Sequence, residues 1–232
     1  MAGGKGLRLR EVTNNTPKAL AKVGGLPLVS HIIQHYRSCG FHEFIVLTGY
    51  LGEQIQSYFN DCTLDRRIDV VDTGLHTSNG GRLRRIAHLL EKDSPFLMTW
   101  TDGFCDVDLN RLLAFHNDHG KLATLTAVNP PSRFGHLTIS GDKVTKFEEK
   151  PLLDDQWING GYFVLQPEVL RLLRDDDTEF EHDVLSHLAQ NNQLSAFKHK
   201  GYWQCVDTIN DLELLNQHWK EELLPLQQGA NA

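Results

Sequence analysis

The sequence lacks several things at once. No apolar run is long enough to cross a bilayer, and no basic segment followed by an apolar stretch opens the chain, so neither a membrane span nor a secretory leader is expected. Cysteine is scarce. Cys39, Cys62, Cys105 and Cys205 form no Cys-x-x-Cys pair, which speaks against a zinc ribbon or disulfide framework and for free thiols in the cytoplasm. Excess positive charge is missing too: the net charge is −7 at pH 7, which disfavours broad nucleic-acid binding. There is no internal repeat, low-complexity tract or flexible linker. What remains is ordinary globular composition, 40% hydrophobic and 23% charged over 232 residues, enough for a single domain with a sizeable core.

An acidic chain that handles anions must gather its cations locally, and the first eighteen residues do so. Gly3, Gly4 and Gly6 are followed by Arg8 and, after a polar run, by Thr16-Pro-Lys18. Glycines let a backbone take positive φ and bring its N–H groups close to a ligand. Successive N–H groups in such a turn make a concave anion site. An arginine fork and a mobile lysine charge suit phosphate. The stretch predicts a polyphosphate loop. It is not a P-loop, since Leu7 and Arg8 stand where Lys and Ser or Thr belong. It is not a dinucleotide fingerprint either, since Leu9 replaces the third glycine.

Downstream, apolar spacing predicts helices over 27–38, 53–59, 81–90, 108–119, 169–174, 182–191 and 211–222. Strands are expected over 44–48, 68–71, 96–100, 122–128, 137–139, 144–148 and 161–165, with 196–206 extended and a hairpin turn at Gly141-Asp142. Strands alternating with helices imply an α/β fold: a Rossmann-like mixed, mostly parallel sheet with helices on both faces. Ligands bind such sheets beyond the carboxyl ends of the strands, where Asp102 and Asp207 fall. The reading is one domain, with a nucleotide-binding half over 1–120 and a sugar-binding half over 121–232.

The glycine loop with Pro17-Lys18 resembles the signature of the sugar-1-phosphate nucleotidyltransferases. Thr77-Ser-Asn-Gly-Gly-Arg-Leu-Arg84, Thr101-Asp-Gly103, Phe147-Glu-Glu-Lys-Pro151, Ile158-Asn-Gly-Gly-Tyr-Phe-Val-Leu165 and Gly201-Tyr-Trp-Gln-Cys-Val-Asp-Thr208 follow in the order of that family's cytidylyltransferase branch. The resemblance implies CTP and glucose 1-phosphate as substrates, CDP-glucose and pyrophosphate as products, Mg²⁺ as cofactor, a homo-oligomer, and a product serving surface polysaccharide. It assigns Arg8 and Lys18 to catalysis and Asp102 and Asp207 to the metal. Gly3, Gly4 and Gly6 go to the nucleotide phosphates, Thr77, Gly80, Gly81 and Arg82 to the base, Lys150 and Asn159 to the sugar phosphate and sugar hydroxyls, and Gly160 to close approach of the sugar, with Thr101 also counted among the binding residues. A different base or sugar is the alternative, as is a sugar-nucleotide-binding relic without activity.

Some residues keep plainer readings. Asp106 and Asp108 lie near Asp102, but Asp108 reads as a helix N-cap. His31 and His35 lack the glutamate of a zinc helix, and His116 and His119 fit a helix surface. Cys105 and Cys205 read as small packed hydrophobes. The chain also departs from the family. Leu7 stands where a threonine is usual, Thr101 replaces a glycine, and the segment between Phe59 and Asp72 is short. The family places a hydrophobic strand ahead of the glycine loop at the sheet's centre, whereas Met1 stands almost at the loop. A central strand position without its strand is therefore expected.

Overall fold

The computed structural model describes residues 1–4, 6, 15–61, 67–90, 94–132, 134–152 and 156–224. Lys18–Leu20 form a 3-10 turn, and β1 (Lys22–Val23) and β2 (Leu26–Pro27) pair as a small antiparallel ribbon. Pro27, with φ −59°, ends β2 and opens α1 (Leu28–Ser38). The predicted stripe of Leu28, Ile32, Ile33 and Tyr36 is buried, and so are His31 and His35. β3 (Phe44–Thr48), α2 (Gly52–Asp61) and β4 (Ile68–Asp72) form a parallel βαβ unit.

The helix expected over 81–90 is two, α3 (Asn79–Arg85) and α4 (Ala87–Leu90), broken at Ile86. β5 (Phe96–Thr99) and β6 (Gly103–Cys105) flank the turn that carries Asp102. α5 (Leu109–His119) starts at Asp108, whose side chain accepts from Arg111 N, and stops at Gly120 with φ 63°, as its cap residues predict. Then come β7 (Ala123–Val128), β8 (His136–Ser140), β9 (Lys143–Glu148) and β10 (Ile158–Leu165). A 3-10 turn (Pro167–Leu172) and a π-turn (Phe180–Leu185) lead into α6 (Ser186–Gln190). β11 (Leu194–His199), β12 (Trp203–Cys205) and α7 (Ile209–Lys220) close the described chain.

The main sheet runs β11-β7-β10-β5. β11 is parallel to β7, while β10 lies antiparallel between β7 and β5. The sheet is mixed, as expected, with a larger antiparallel share than the alternation of elements suggests. The order of elements along a chain does not record that β10 inserts between β7 and β5. Tyr162 to Leu165 of β10 are buried and anchor the core.

Among the described residues β3 and β5 do not pair. Ala2 N donates to Leu47 O at 2.8 Å, and the Met1 amino group donates to Thr99 O at 3.0 Å, so the first two residues bridge the carboxyl ends of both strands. Beyond them a cavity of about 690 Å³ separates the strands, lined by Phe44, Ile45 and Leu47 on one side and Phe96–Thr99 on the other. A groove thus lies between β3 and β5. Among the described residues the β8–β9 hairpin pairs with no other strand, and Leu137, Ile139, Val144 and Phe147 on it are exposed. No helix among the described residues is long and apolar enough to cross a membrane.

Candidate active site

Two short strands explain why two aspartates 105 positions apart in sequence (207 − 102) meet. β12 pairs antiparallel with β6 in the register Cys205↔Gly103, so Asp102, just before β6, lies beside the residues just after β12. Val206 N donates to Asp102 O at 2.8 Å and extends the ladder by one rung. Asp207 then precedes α7, whose start is fixed by a capping box between Thr208 and Asp211. The Asp211 carboxylate also accepts from Asp207 N at 3.0 Å.

Lys18 completes the cluster. Its Nζ donates to Asp102 Oδ2 and Asp207 Oδ1, each at 3.0 Å. Burial is the largest single influence on the ammonium and would lower its pKa. The charge of Asp102 and the hydrogen bond and charge of Asp207 together outweigh it, so the pKa lies above the usual lysine value. One cation thus already touches both carboxylates. Cys205 lies with Asp102 and Asp207 in a group whose possible ligand atoms are within 4.8 Å of one another. Two carboxylate oxygens suit a hard ion such as Mg²⁺, whereas a thiol suits softer metals.

The cluster opens onto a cleft of about 570 Å³. Of the residues singled out in the sequence, Gly3, Gly4, Gly6, Lys18, Thr77, Arg82, Thr101, Asp102 and Asp207 line it. Arg8 and Leu7 lie outside the described residues. Among the loop glycines only Gly6 has a positive φ, 57°. Thr101 Oγ1 donates to Met1 O at 3.2 Å, which ties the start of the chain to the Asp102 turn.

Other expected residues have packing duties. A β-carbon on Gly80 would come within 2.6 Å of Thr178 O, and one on Gly81 within 2.3 Å of Asp176 O. These glycines let α3 lie against the 176–178 loop, where Gly81 N donates to Thr178 O. Gly160 sits under Val128 and Thr126, and its carbonyl accepts from Trp203 Nε1 at 2.9 Å. Asn159 is exposed, and its side-chain oxygen accepts from Gly161 N inside a bulge of β10. Lys150 is exposed with φ 45°. Gly80, Gly81, Lys150, Asn159 and Gly160 are not part of the cleft lining.

Sequence reasoning missed Trp100, Glu179 and Glu181 on the cleft wall. Glu181 is held by a short hydrogen bond from Asn79, and Phe180 N donates to Asn79 Oδ1 at 2.8 Å. No motif announced Glu179 and Glu181, because only the packing of α3 on the 176–181 segment brings them to the cleft, whereas Trp100 lies there as the residue between β5 and Thr101. The plainer readings also separate here. Cys105 is fully buried, and burial pushes its thiol pKa up to about 12. His116 is not on a helix surface. It is fully buried between Thr124 and Gln166, each at 2.9 Å.

Residues 1–222 match the family model described as nucleotidyl transferase. The chain is 40% identical to a glucose-1-phosphate cytidylyltransferase of Salmonella typhi, over 97% of this chain and 96% of that protein. It is 37% identical to a probable glucose-1-phosphate cytidylyltransferase of Bacillus subtilis, over 95% of each. The fold is similar to the crystal structure of HddC from Yersinia pseudotuberculosis, with a TM-score of 0.73 at 22% identity over 94% of this chain and 96% of that one. With a glycine loop, a lysine and two carboxylates gathered at one cleft, the chain belongs to the nucleotidyl transferase family, as a sugar-1-phosphate nucleotidyltransferase.

Proposed function

We propose that the chain joins CTP to glucose 1-phosphate, forming CDP-glucose and releasing pyrophosphate. The observation that carries this reading is Lys18 Nζ at 3.0 Å from both Asp102 and Asp207, beside the glycine loop. The cytidylyltransferases named above support the choice of base and sugar. The nucleophile, a sugar-phosphate oxygen, is already an anion and needs no general base. It forms a bond to the α-phosphorus of CTP as the bond to the bridging oxygen breaks, and pyrophosphate leaves with that electron pair. The obstacle is two anions meeting, so catalysis is positioning and charge neutralisation.

In this reading Asp102 and Asp207 would hold Mg²⁺, which would supply positive charge where the two anions meet. Lys18 holds the α-phosphate at the point of attack. Arg8 and the amides of Gly3, Gly4 and Gly6 hold the triphosphate, with Thr101 at its edge. Thr77, on the cleft wall, faces the base. Lys150, Asn159 and Gly160 serve the sugar phosphate. The exposed apolar residues of the β8–β9 hairpin support a homo-oligomer, and CDP-glucose would serve surface polysaccharide synthesis in the cytoplasm.

The test is pyrophosphate release with CTP, dTTP, UTP and ATP, each against glucose 1-phosphate and Mg²⁺. The expected result is a clear preference for CTP in kcat/KM. Preference for another nucleotide overturns the base assignment, and no turnover with any of them favours a binding role.

A further inference from the structure

The glycine loop must be held still for its amides to face a triphosphate, and the structure shows what lies beneath it. Arg82, in α3, turns inward while its neighbour Arg85 turns outward to pair with Asp176. Only 6% of Arg82 is exposed. Its Nη1 donates to Thr48 O at 2.7 Å, Thr73 Oγ1 at 2.7 Å and Gly74 O at 2.8 Å, and its Nη2 donates to Gly3 O at 3.1 Å. These acceptors come from the end of β3, the segment after β4 and the glycine loop. All are uncharged. One planar fork therefore pins three loops at once, which a point-charge lysine cannot reproduce.

Two glycines make room for it. A β-carbon on Gly3 would fall 2.4 Å from Arg82 Cζ, and one on Gly49 would fall 2.5 Å from Arg82 Nη1. Neither residue has a positive φ, so space for the guanidinium rather than backbone freedom explains glycine at both positions. The first glycine of the phosphate motif is thus a socket for an arginine 79 positions away (82 − 3).

We infer that Arg82 is the positioning residue of the glycine loop. It sets the loop against β3 and β4 and places a fixed positive charge under the anion site, without reading the base. This rests on the reading of the cleft as a triphosphate site. A base-reading residue would change discrimination among nucleotides. A positioning residue under the loop changes the binding of every polyphosphate, including one with no base.

The experiment is calorimetric binding of inorganic tripolyphosphate and of CTP, UTP, dTTP and ATP to the wild-type chain, Arg82→Lys and Arg82→Ala, with thermal melting of each. Arg82→Lys keeps the charge and serves as the variant that folds if Arg82→Ala does not. The expected result is that Arg82→Lys weakens tripolyphosphate and all four nucleotides by a similar factor of about ten, the loss from a misplaced fork of hydrogen bonds. Added guanidinium should restore part of the binding to folded Arg82→Ala. The inference is overturned if Arg82→Lys binds every ligand as tightly as wild type while melting lower, which would make the arginine purely structural. It is also overturned if only the order of preference among nucleotides changes, which would make Arg82 a base reader. Failure of wild type to bind tripolyphosphate and all four nucleotides overturns both this inference and the triphosphate reading. Tight binding without pyrophosphate release overturns only the proposed reaction.

Discussion

Lys18 and Arg82 place positive charge on the same cleft and are held in opposite ways. Lys18 sits between two carboxylates contributed by the β6 and β12 ends, so its charge is matched by nearby anions. Arg82 is gripped by carbonyls and a hydroxyl, with no carboxylate among the contacts above. The first arrangement can exchange partners, because an arriving phosphate or metal ion competes for the same charges. The second cannot, because releasing the guanidinium would break four hydrogen bonds to three loops at once and leave a buried charge without its partners. The floor of the cleft is built to react, and the wall is built to stay.

The largest effect should come from breaking the exchangeable side. Asp102→Asn and Asp207→Asn should each lower turnover by at least about a thousandfold while leaving melting nearly unchanged, since each removes an anionic donor where charge must be neutralised. Pyrophosphate release and Mn²⁺ binding followed by electron paramagnetic resonance check this. Near-normal turnover at limiting metal in either variant would remove that aspartate from the site.

Lys18→Met tests the same side from the cation. Turnover should fall by roughly a hundredfold. Mn²⁺ should bind the nucleotide-free protein more tightly, because the ammonium no longer occupies the facing oxygens of Asp102 and Asp207. Weaker Mn²⁺ binding would mean that Lys18 organises the carboxylates instead of competing at them.

The fixed side can be sharpened through the groove between β3 and β5. An apolar segment such as Met-Lys-Ala-Val-Ile-Leu joined ahead of Ala2 should run parallel to both strands and fill it. Burying several large side chains at about 1.5–3 kcal/mol each should raise the melting temperature by on the order of 5–10 °C. It should also lessen the cost of Arg82→Lys, since the loop would then be held from two directions. Equal melting with and without the segment would show that the groove does not accept a strand.

The smallest effect separates both sides from the rest of the molecule. As pH falls from about 6.5, neither Lys18 nor Arg82 changes charge. His116 does matter: burial, with His119 nearby, lowers its pKa to about 4 in the fold. Gln166 Nε2 faces one ring nitrogen and Thr124 Oγ1 the other, which leaves no acceptor for a second proton on the Gln166 side. The unfolded chain binds that proton near pH 6.5 and the folded chain only near 4. The stability it contributes is therefore complete above about 6.5 and is lost between 6.5 and 4, on the order of 3 kcal/mol. Melting measured across that range should show the loss, and His116→Gln should reduce it, leaving the part due to His31, His35 and His119, whose pKa values burial also lowers.

Much was readable from local pattern alone. The stripe on α1, the Asp108 cap and Gly120 stop of α5, and the β8–β9 hairpin turn each depend on residues within a few positions of one another. Their caps, spacing and backbone preferences act before any tertiary contact. The motif order carried the family and the residues of the cleft floor, because Lys18, Asp102 and Asp207 each stand in a recognisable segment. The tertiary structure decided the rest. β6 is too short and too closely tied to β12 to signal itself, yet its register is what sets Asp102 beside Asp207. Glu179 and Glu181 reach the cleft only because Gly80 and Gly81 let α3 lie against the 176–178 backbone. Gly3 reads as backbone freedom until the Arg82 guanidinium is seen to occupy the space that side chains at 3 and 49 would take. Such facts depend on which distant surfaces touch, and a sequence records that only through contacts between residues far apart along it.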